Sequence, residues 1–301
     1  MSAEEIRFSG EPGIALTAGG LTATFLPGVG MTGVSLQFAG REYLALPGGI
    51  AQLRAGGTSG LPLLAPWANR LASRRYRAGG VDVDLDGLPL GTDDNGLPIH
   101  GLLVGAPGWS VDRADVRGKT ARLRASIHVD APAFPFPHRI EVAAIARDGE
   151  LEIDTTIIPT AKRQVPVAFG WHPYLRLPDV PRSQWLLDLP ARRHAALDSF
   201  SIPTGDDAAE PAERAPLGRR TFDDLYLLGR RRRLSFAAED GPSIELRCGA
   251  AYPYAQVWVP RGRTYGALEP MAAPTNALGT GSSPMVAPGD SFAARFVLAL
   301  T

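Results

Sequence analysis

Apolar positions in this chain recur mostly at every second residue, in short runs broken by glycine and proline. Val81-Asp-Val-Asp-Leu85 alternates strictly, and the segment from Thr120 to Val129 alternates along its whole length. A period of two places one set of side chains on each face of an extended segment, so these runs predict half-buried strands. The same reading covers Leu21–Leu26, Gly33–Phe38, Arg139–Ala146 and Glu150–Ile158. It extends to Trp185–Leu189, Arg233–Phe236, Ser243–Arg247, Ala255–Val259 and Ser291–Leu298. Arg147-Asp148-Gly149 joins two of the runs, and Asp-Gly is a strong hairpin signal. Asp240-Gly241 marks a second tight turn. No convincing amphipathic helix is present. The polar stretch from Asp206 to Arg219 is interrupted by Pro211 and Pro216 and reads as a loop. Many short strands with almost no helix predict an all-β protein, a large antiparallel β-sandwich. With no fixed-period repeat and no low-complexity linker, residues 1–301 read as one domain.

Composition narrows the function classes. Lys+Arg and Asp+Glu are equal at 31 each, which argues against a general affinity for nucleic acid or anionic membrane. Cys248 is the single cysteine, so an internal disulfide and a multi-cysteine metal site are excluded. It is expected to pack as a small apolar residue. The N-terminus shows no basic region followed by an apolar run, and no apolar stretch is long enough to span a bilayer. A soluble, cytoplasmic protein is the expectation.

The residues with most chemical promise are Phe169-Gly170-Trp171-His172-Pro173-Tyr174. Gly170 can take backbone angles closed to other residues, and Pro173 disfavours helical geometry at His172. A histidine held in extended backbone among aromatic rings suits a proton donor beside a flat, half-apolar ligand such as a sugar ring. The competing reading is a core histidine in an aromatic-rich strand. His100 lies in a turn-rich segment, Asn95-Gly-Leu-Pro-Ile-His100-Gly101, of the kind that places side chains at the mouths of sheets. In Leu61–Arg70, Trp67 could stack on a ligand face and Arg70 could offer its planar fork of donors. Arg70 could equally satisfy loop carbonyls. Arg74, Arg75 and Arg77 form a cluster that is either a solvated face or a phosphate receptor.

Glu269 ends an apolar run and precedes Pro270. Partial desolvation there would raise its pKa and make it a usable base near neutrality; otherwise it is a capping or ion-paired glutamate. Asp223 and Asp224 precede a further apolar run, and either could accept a ligand hydroxyl. His128, His138 and His194 read as structural or surface residues. The chain has no His-Glu-x-x-His metal signature, no dinucleotide or phosphate-binding loop and no Gly-x-Ser-x-Gly element, so no metal and no cofactor is expected.

Together these segments resemble the aldose 1-epimerase (galactose mutarotase-like) family. Pro66-Trp-Ala-Asn-Arg70, His100-Gly101 with Trp109, Gly170-Trp-His-Pro-Tyr174 and Glu269-Pro-Met271 with Asn276 occur in the family's order, ahead of Val286-Ala-Pro-Gly289 and a final strand. The resemblance implies a large twisted β-sandwich, the galactose mutarotase-like supersandwich. It implies His172 as general acid and Glu269 as general base, acting on a sugar held by Arg70, His100 and Asp223. Trp171 and Pro173 stand where galactose mutarotases carry a polar segment, so a more apolar rim than a galactose site is expected, and Trp67 and Trp171 are both expected to bind the sugar. The implied activity is interconversion of the α and β anomers of a free aldose by ring opening and reclosure. The alternatives are a hexose-6-phosphate mutarotase or a catalytically silent sugar-binding or sensor protein on the same fold. The enzymatic reading requires His172 and Glu269 to meet across a pocket about one pyranose wide.

Overall fold

The computed structural model describes residues 1–301. Strands hold 54% of the residues and helices 5%, so the architecture is all-β. Residues 2–42 form a five-stranded antiparallel meander, Ser2–Phe8, Glu11–Ala18, Leu21–Leu26, Thr32–Phe38 and Arg41–Glu42, in sequence order. A nine-stranded sheet follows. Its centre is the C-terminal strand Phe292–Leu300, which lies between Ser243–Cys248 and Glu150–Pro159. An eight-stranded sheet carries Phe222–Leu228, Tyr254–Val259, Gly266–Met271 and the short pieces Gly170–Trp171, Tyr174–Leu175 and Leu63–Leu64. No helix is long and apolar enough to cross a membrane.

The alternation seen in the sequence is the burial pattern of the strands. Along Phe134–Arg147 every second residue is buried, beginning with Phe134, Phe136 and His138. The Asp148-Gly149 turn forms as expected: Arg147 pairs with Glu150 and Gly149 takes φ 69°. The Asp148 side chain also accepts the Gly20 N–H at 2.9 Å, tying the meander to the nine-stranded sheet. The buried side chains merge into a cluster of 67 residues reaching from Ile14 to Leu300. His138 sits inside it with Nδ1 at 2.7 Å from the Phe136 carbonyl, while His128 is exposed opposite Arg139. Cys248 is partly buried against the core, and desolvation pushes its thiol up to about 12.

One expectation fails. The stretch from Asp206 to Arg219 contains strands, not a loop: Pro203–Glu210 edges the eight-stranded sheet and Glu213–Pro216 edges the nine-stranded one. Both lie at sheet edges and are largely exposed, so neither needs apolar alternation. Edge position also tolerates proline, and Pro211 falls between the two strands.

Candidate active site

The floor of the candidate site is one face of the eight-stranded sheet. Opposed residues of an antiparallel pair share a face. Gln256 opposes Glu269, Asp223 opposes Trp258, and Tyr174 opposes Ala267, which puts five polar or aromatic side chains on that face. Gly170 opposes Met271 on the same strand. A Cβ at Gly170 would meet the Pro270 carbonyl at 2.9 Å and Ala68 Cβ at 3.1 Å, so only glycine allows the His172 segment to lie this close.

His172 and Glu269 come together on this floor. Nε2 of His172 lies 3.3 Å from Oε1 of Glu269. The two residues are 5% and 2% exposed, so the contact is almost dry. They touch directly and do not stand a pyranose width apart as the sequence reading required. Neither Nδ1 of His172 nor Oε2 of Glu269 has a partner within the protein. Aromatic rings fix the imidazole. Tyr174 stacks on it at 4.6 Å between centroids and 17° between planes, and Trp258 meets it edge-on at 5.4 Å. The Tyr174 hydroxyl is held at 2.7 Å by Thr58 Oγ1.

Burial sets the protonation of this pair. Loss of water disfavours the charged form of each group. It pushes His172 down to about 3 and Glu269 well above the usual carboxyl range, the latter helped by repulsion from Asp223. The favoured arrangement is therefore a neutral imidazole beside a protonated carboxyl. Transferring that one proton within the pair yields imidazolium and carboxylate, so the two arrangements hold the same number of protons.

Arg70 and His100 come from the other side. The Asn276 N–H donates to the Arg70 carbonyl at 3.0 Å, and its Oδ1 accepts from Ala72 N–H at 3.0 Å. That clamp fixes the Arg70 backbone. The Arg70 guanidinium donates from Nε to Asp93 at 2.7 Å and from Nη1 to Asn69 at 3.1 Å, and its Nη2 lies 3.6 Å from Asp223 Oδ2. His100 adopts φ 63° and donates its backbone N–H to the Asn69 carbonyl at 3.0 Å. Its ring lies edge-on to His172 at 5.7 Å. Burial, then the nearness of His172 and Arg70, holds His100 well below the usual histidine range.

The structure resolves the choice between the paired aspartates. Asp223 receives the Gln256 amide at 2.8 Å, faces Arg70, and keeps 42% of its side chain exposed at the rim. Asp224 points to the opposite face, where it meets His194 Nε2 at 3.1 Å. The two tryptophans are the correction. Trp171 is fully buried, donates its indole N–H to Thr155 Oγ1 at 3.0 Å and packs on Phe296. It precedes His172 in an extended segment, so it points to the opposite side, into the sandwich. Trp67 is likewise 1% exposed and part of the same core. The aromatic wall is built instead by Tyr174, Trp258 and Tyr265.

Arg74, Arg75 and Arg77 do not converge on this site. They pair with Asp86, Asp84 and Asp82 along the hairpin Arg75–Ala78 and Val81–Asp84. Sequence reading missed Gln256, Trp258 and Asp93. Gln256 carried a usable signal, as a polar residue in the middle of the apolar run Ala255–Val259. Asp93 carried none, since Thr92-Asp-Asp-Asn-Gly96 reads as a solvated turn.

An all-β sandwich with a buried histidine–glutamate pair, flanked by an arginine and an aspartate at the rim, defines a candidate acid–base site for a polyhydroxylated ligand. The aldose 1-epimerase family profile matches residues 14–299, and the chain belongs to that family. The uncharacterized protein YihR of Escherichia coli K12 is 28% identical over 147 residues, a match spanning 47% of this chain and 44% of YihR. Among solved structures, a galactose mutarotase-like protein from Clostridium acetobutylicum superposes with TM-score 0.89 at 18% identity, covering 100% of this chain and 99% of that one. A GalM/aldose epimerase homologue from C. elegans gives TM-score 0.78 at 18% identity, covering 94% and 96%. At these identities the likeness is one of fold.

Proposed function

We propose that this protein is an aldose 1-epimerase acting on a neutral, free aldose. The observation that carries the reading is the dry 3.3 Å contact between His172 and Glu269, with Arg70 and Asp223 beside it. In a cyclic aldose the anomeric hydroxyl oxygen and the ring oxygen are bonded to the same carbon. An acid and a base that almost touch can therefore serve both oxygens at once.

Glu269, as carboxylate, takes the proton of the anomeric hydroxyl. The C1–O1 bond becomes a carbonyl, the C1–O5 bond breaks, and O5 takes the proton of the His172 imidazolium. The sugar is now the open-chain aldehyde, and the pair is neutral imidazole and carboxylic acid. That is the form burial favours, so the one proton must first pass from Glu269 to His172 to arm the pair, and ring opening returns the pair to its neutral form. Rotation about C1–C2 presents the other carbonyl face, and the reverse proton transfers close the ring as the other anomer. Asp223 accepts a sugar hydroxyl, and Arg70 with His100 holds the ring oxygen side. No step in this scheme calls for a metal or an organic cofactor.

Charge favours a neutral sugar over a sugar phosphate. Arg70 is already offset by Asp93 and Asp223, and the Arg74–Arg77 cluster is spent on its own hairpin aspartates. A purely sugar-binding role would leave a buried proton-exchanging pair without purpose. The test is polarimetry on freshly dissolved α-anomers of glucose, galactose and other free aldoses, with hexose 6-phosphates beside them. The protein should speed equilibration of at least one free aldose. Rates equal to the buffer rate across the whole panel would refute the proposal.

A further inference from the structure

The turn from Thr92 to Leu97 looks like a polar surface turn, yet one of its side chains is buried and in use on every side. The Asp93 carboxyl is 6% exposed. Its Oδ1 accepts the backbone N–H groups of Asn95 and Leu97, both at 2.9 Å. Its Oδ2 accepts Arg70 Nε–H at 2.7 Å. The turn is closed by Asp93 N–H donating to the Leu97 carbonyl at 2.9 Å. Beyond it, the Pro98 carbonyl accepts the Leu71 N–H at 2.9 Å, Ile99 bridges to Arg70, and His100 follows. One carboxylate thus joins the arginine of the site to the segment that presents its second histidine.

The Nε contact matters most for aim. A guanidinium is planar, and Nε lies at the root of the plane, so a short bond there fixes the direction of both terminal nitrogens. Of the two carboxylates near Arg70, Asp223 stands at 3.6 Å and is open to solvent, whereas Asp93 is close and buried. A tether from the buried side leaves the outer edge of the fork facing the rim.

We propose that Asp93 is a positioning residue of the sugar site, aiming the Arg70 guanidinium and locking the turn that carries His100. The assignment rests on the mutarotase reading above. Asp93 does not touch the sugar; it acts through Arg70.

Asp93→Asn separates the two duties of the carboxylate. The amide oxygen can still accept the Asn95 and Leu97 N–H groups, while its NH2 cannot accept from Arg70 Nε–H. In the full-length wild type, 1H–15N spectra should show a solvent-protected Arg70 Nε–H, assigned by its loss in Arg70→Lys. In Asp93→Asn that signal should exchange out while the protein stays folded, with the melting temperature lowered by the lost buried ion pair. In anomer-exchange kinetics, kcat/KM should fall on the order of tenfold, mostly through KM, as for loss of a group that orients a binding residue. Arg70→Met should lower kcat/KM as well, and adding Asp93→Asn to it should cost nothing more. An active wild type with an unchanged Nε–H signal or unchanged kinetics in Asp93→Asn would overturn the assignment alone. So would two substitutions whose effects multiply. A wild type that exchanges no aldose at all would overturn it together with the mutarotase reading.

Discussion

Glu269 and His172 lie far apart in the chain and meet at 3.3 Å, Oε1 to Nε2, on a floor that excludes water from both. Gly170 permits the approach, and Tyr174 and Trp258 set the plane of the imidazole. Both groups are buried, and burial disfavours the charged form of each.

Replacing either member should stop the reaction without unfolding the protein. Glu269→Gln and His172→Asn keep size and polarity but remove the proton exchange. Each should lower kcat by about a hundredfold to ten-thousandfold, the usual worth of a positioned proton transfer. Polarimetry beside far-UV circular dichroism checks this. A variant that is folded and retains the wild-type rate would contradict the assigned role.

The pair also predicts opposite pH trends in stability. The unfolded chain protonates His172 near 6.5, the folded one only near 3, so this residue costs stability as pH falls between those values. Glu269 does the reverse. Its folded pKa lies well above the ordinary 4.5, so its contribution is full below 4.5 and is lost as pH rises toward the folded value. Glu269→Gln removes that loss. Urea denaturation across pH 4 to 8 should show the variant gaining on the wild type as pH rises above about 4.5. A flat or falling difference would mean that Glu269 is not desolvated.

Adjacent aspartates should behave differently. Asp223→Asn should raise KM on the order of tenfold, as expected for losing a charge-assisted bond to a sugar hydroxyl. Asp224→Asn, which loses only the His194 contact on the opposite face, should keep KM within about twofold. Steady-state kinetics on the best free aldose decides it, and equal effects would place the wrong aspartate at the rim.

Trp171 should matter for stability and little for rate. Trp171→Phe loses the indole bond to Thr155 and some packing volume, together worth about 1–3 kcal/mol. Its melting temperature should drop by several degrees with kcat within about twofold of wild type. A strong kcat defect without destabilisation would return Trp171 to the site.

The arginine hairpin supplies a control on substrate class. Arg74, Arg75 and Arg77 are paired with hairpin aspartates, so changing all three to Ala should leave kcat/KM for the free aldose unaltered. A loss of activity toward a hexose 6-phosphate in that variant would restore the phosphate reading.

Most of the fold was legible because alternation is what a half-buried strand requires, and the runs from Leu21–Leu26 to Phe292–Leu300 carry it. The edge strands Pro203–Glu210 and Glu213–Pro216 were not, since exposed edges impose no such pattern. Among candidate site residues, His172, Glu269, Arg70, His100 and Asp223 were legible through their motifs, and the structure gathers all five. Trp171 was misplaced because a motif names its residues but not the face each takes; the period of two sends it to the core when His172 faces out. Asp93 was hidden for another reason. Its importance lies in a contact across the chain, to Arg70, which no local pattern announces.

The most direct measurement is two-dimensional exchange NMR on an aldose already at anomeric equilibrium, with catalytic amounts of protein. The account predicts cross-peaks between the α and β anomeric protons with the wild type, and none above the buffer rate with Glu269→Gln. Equal cross-peaks for the two proteins, or none for the wild type with any free aldose, would contradict it.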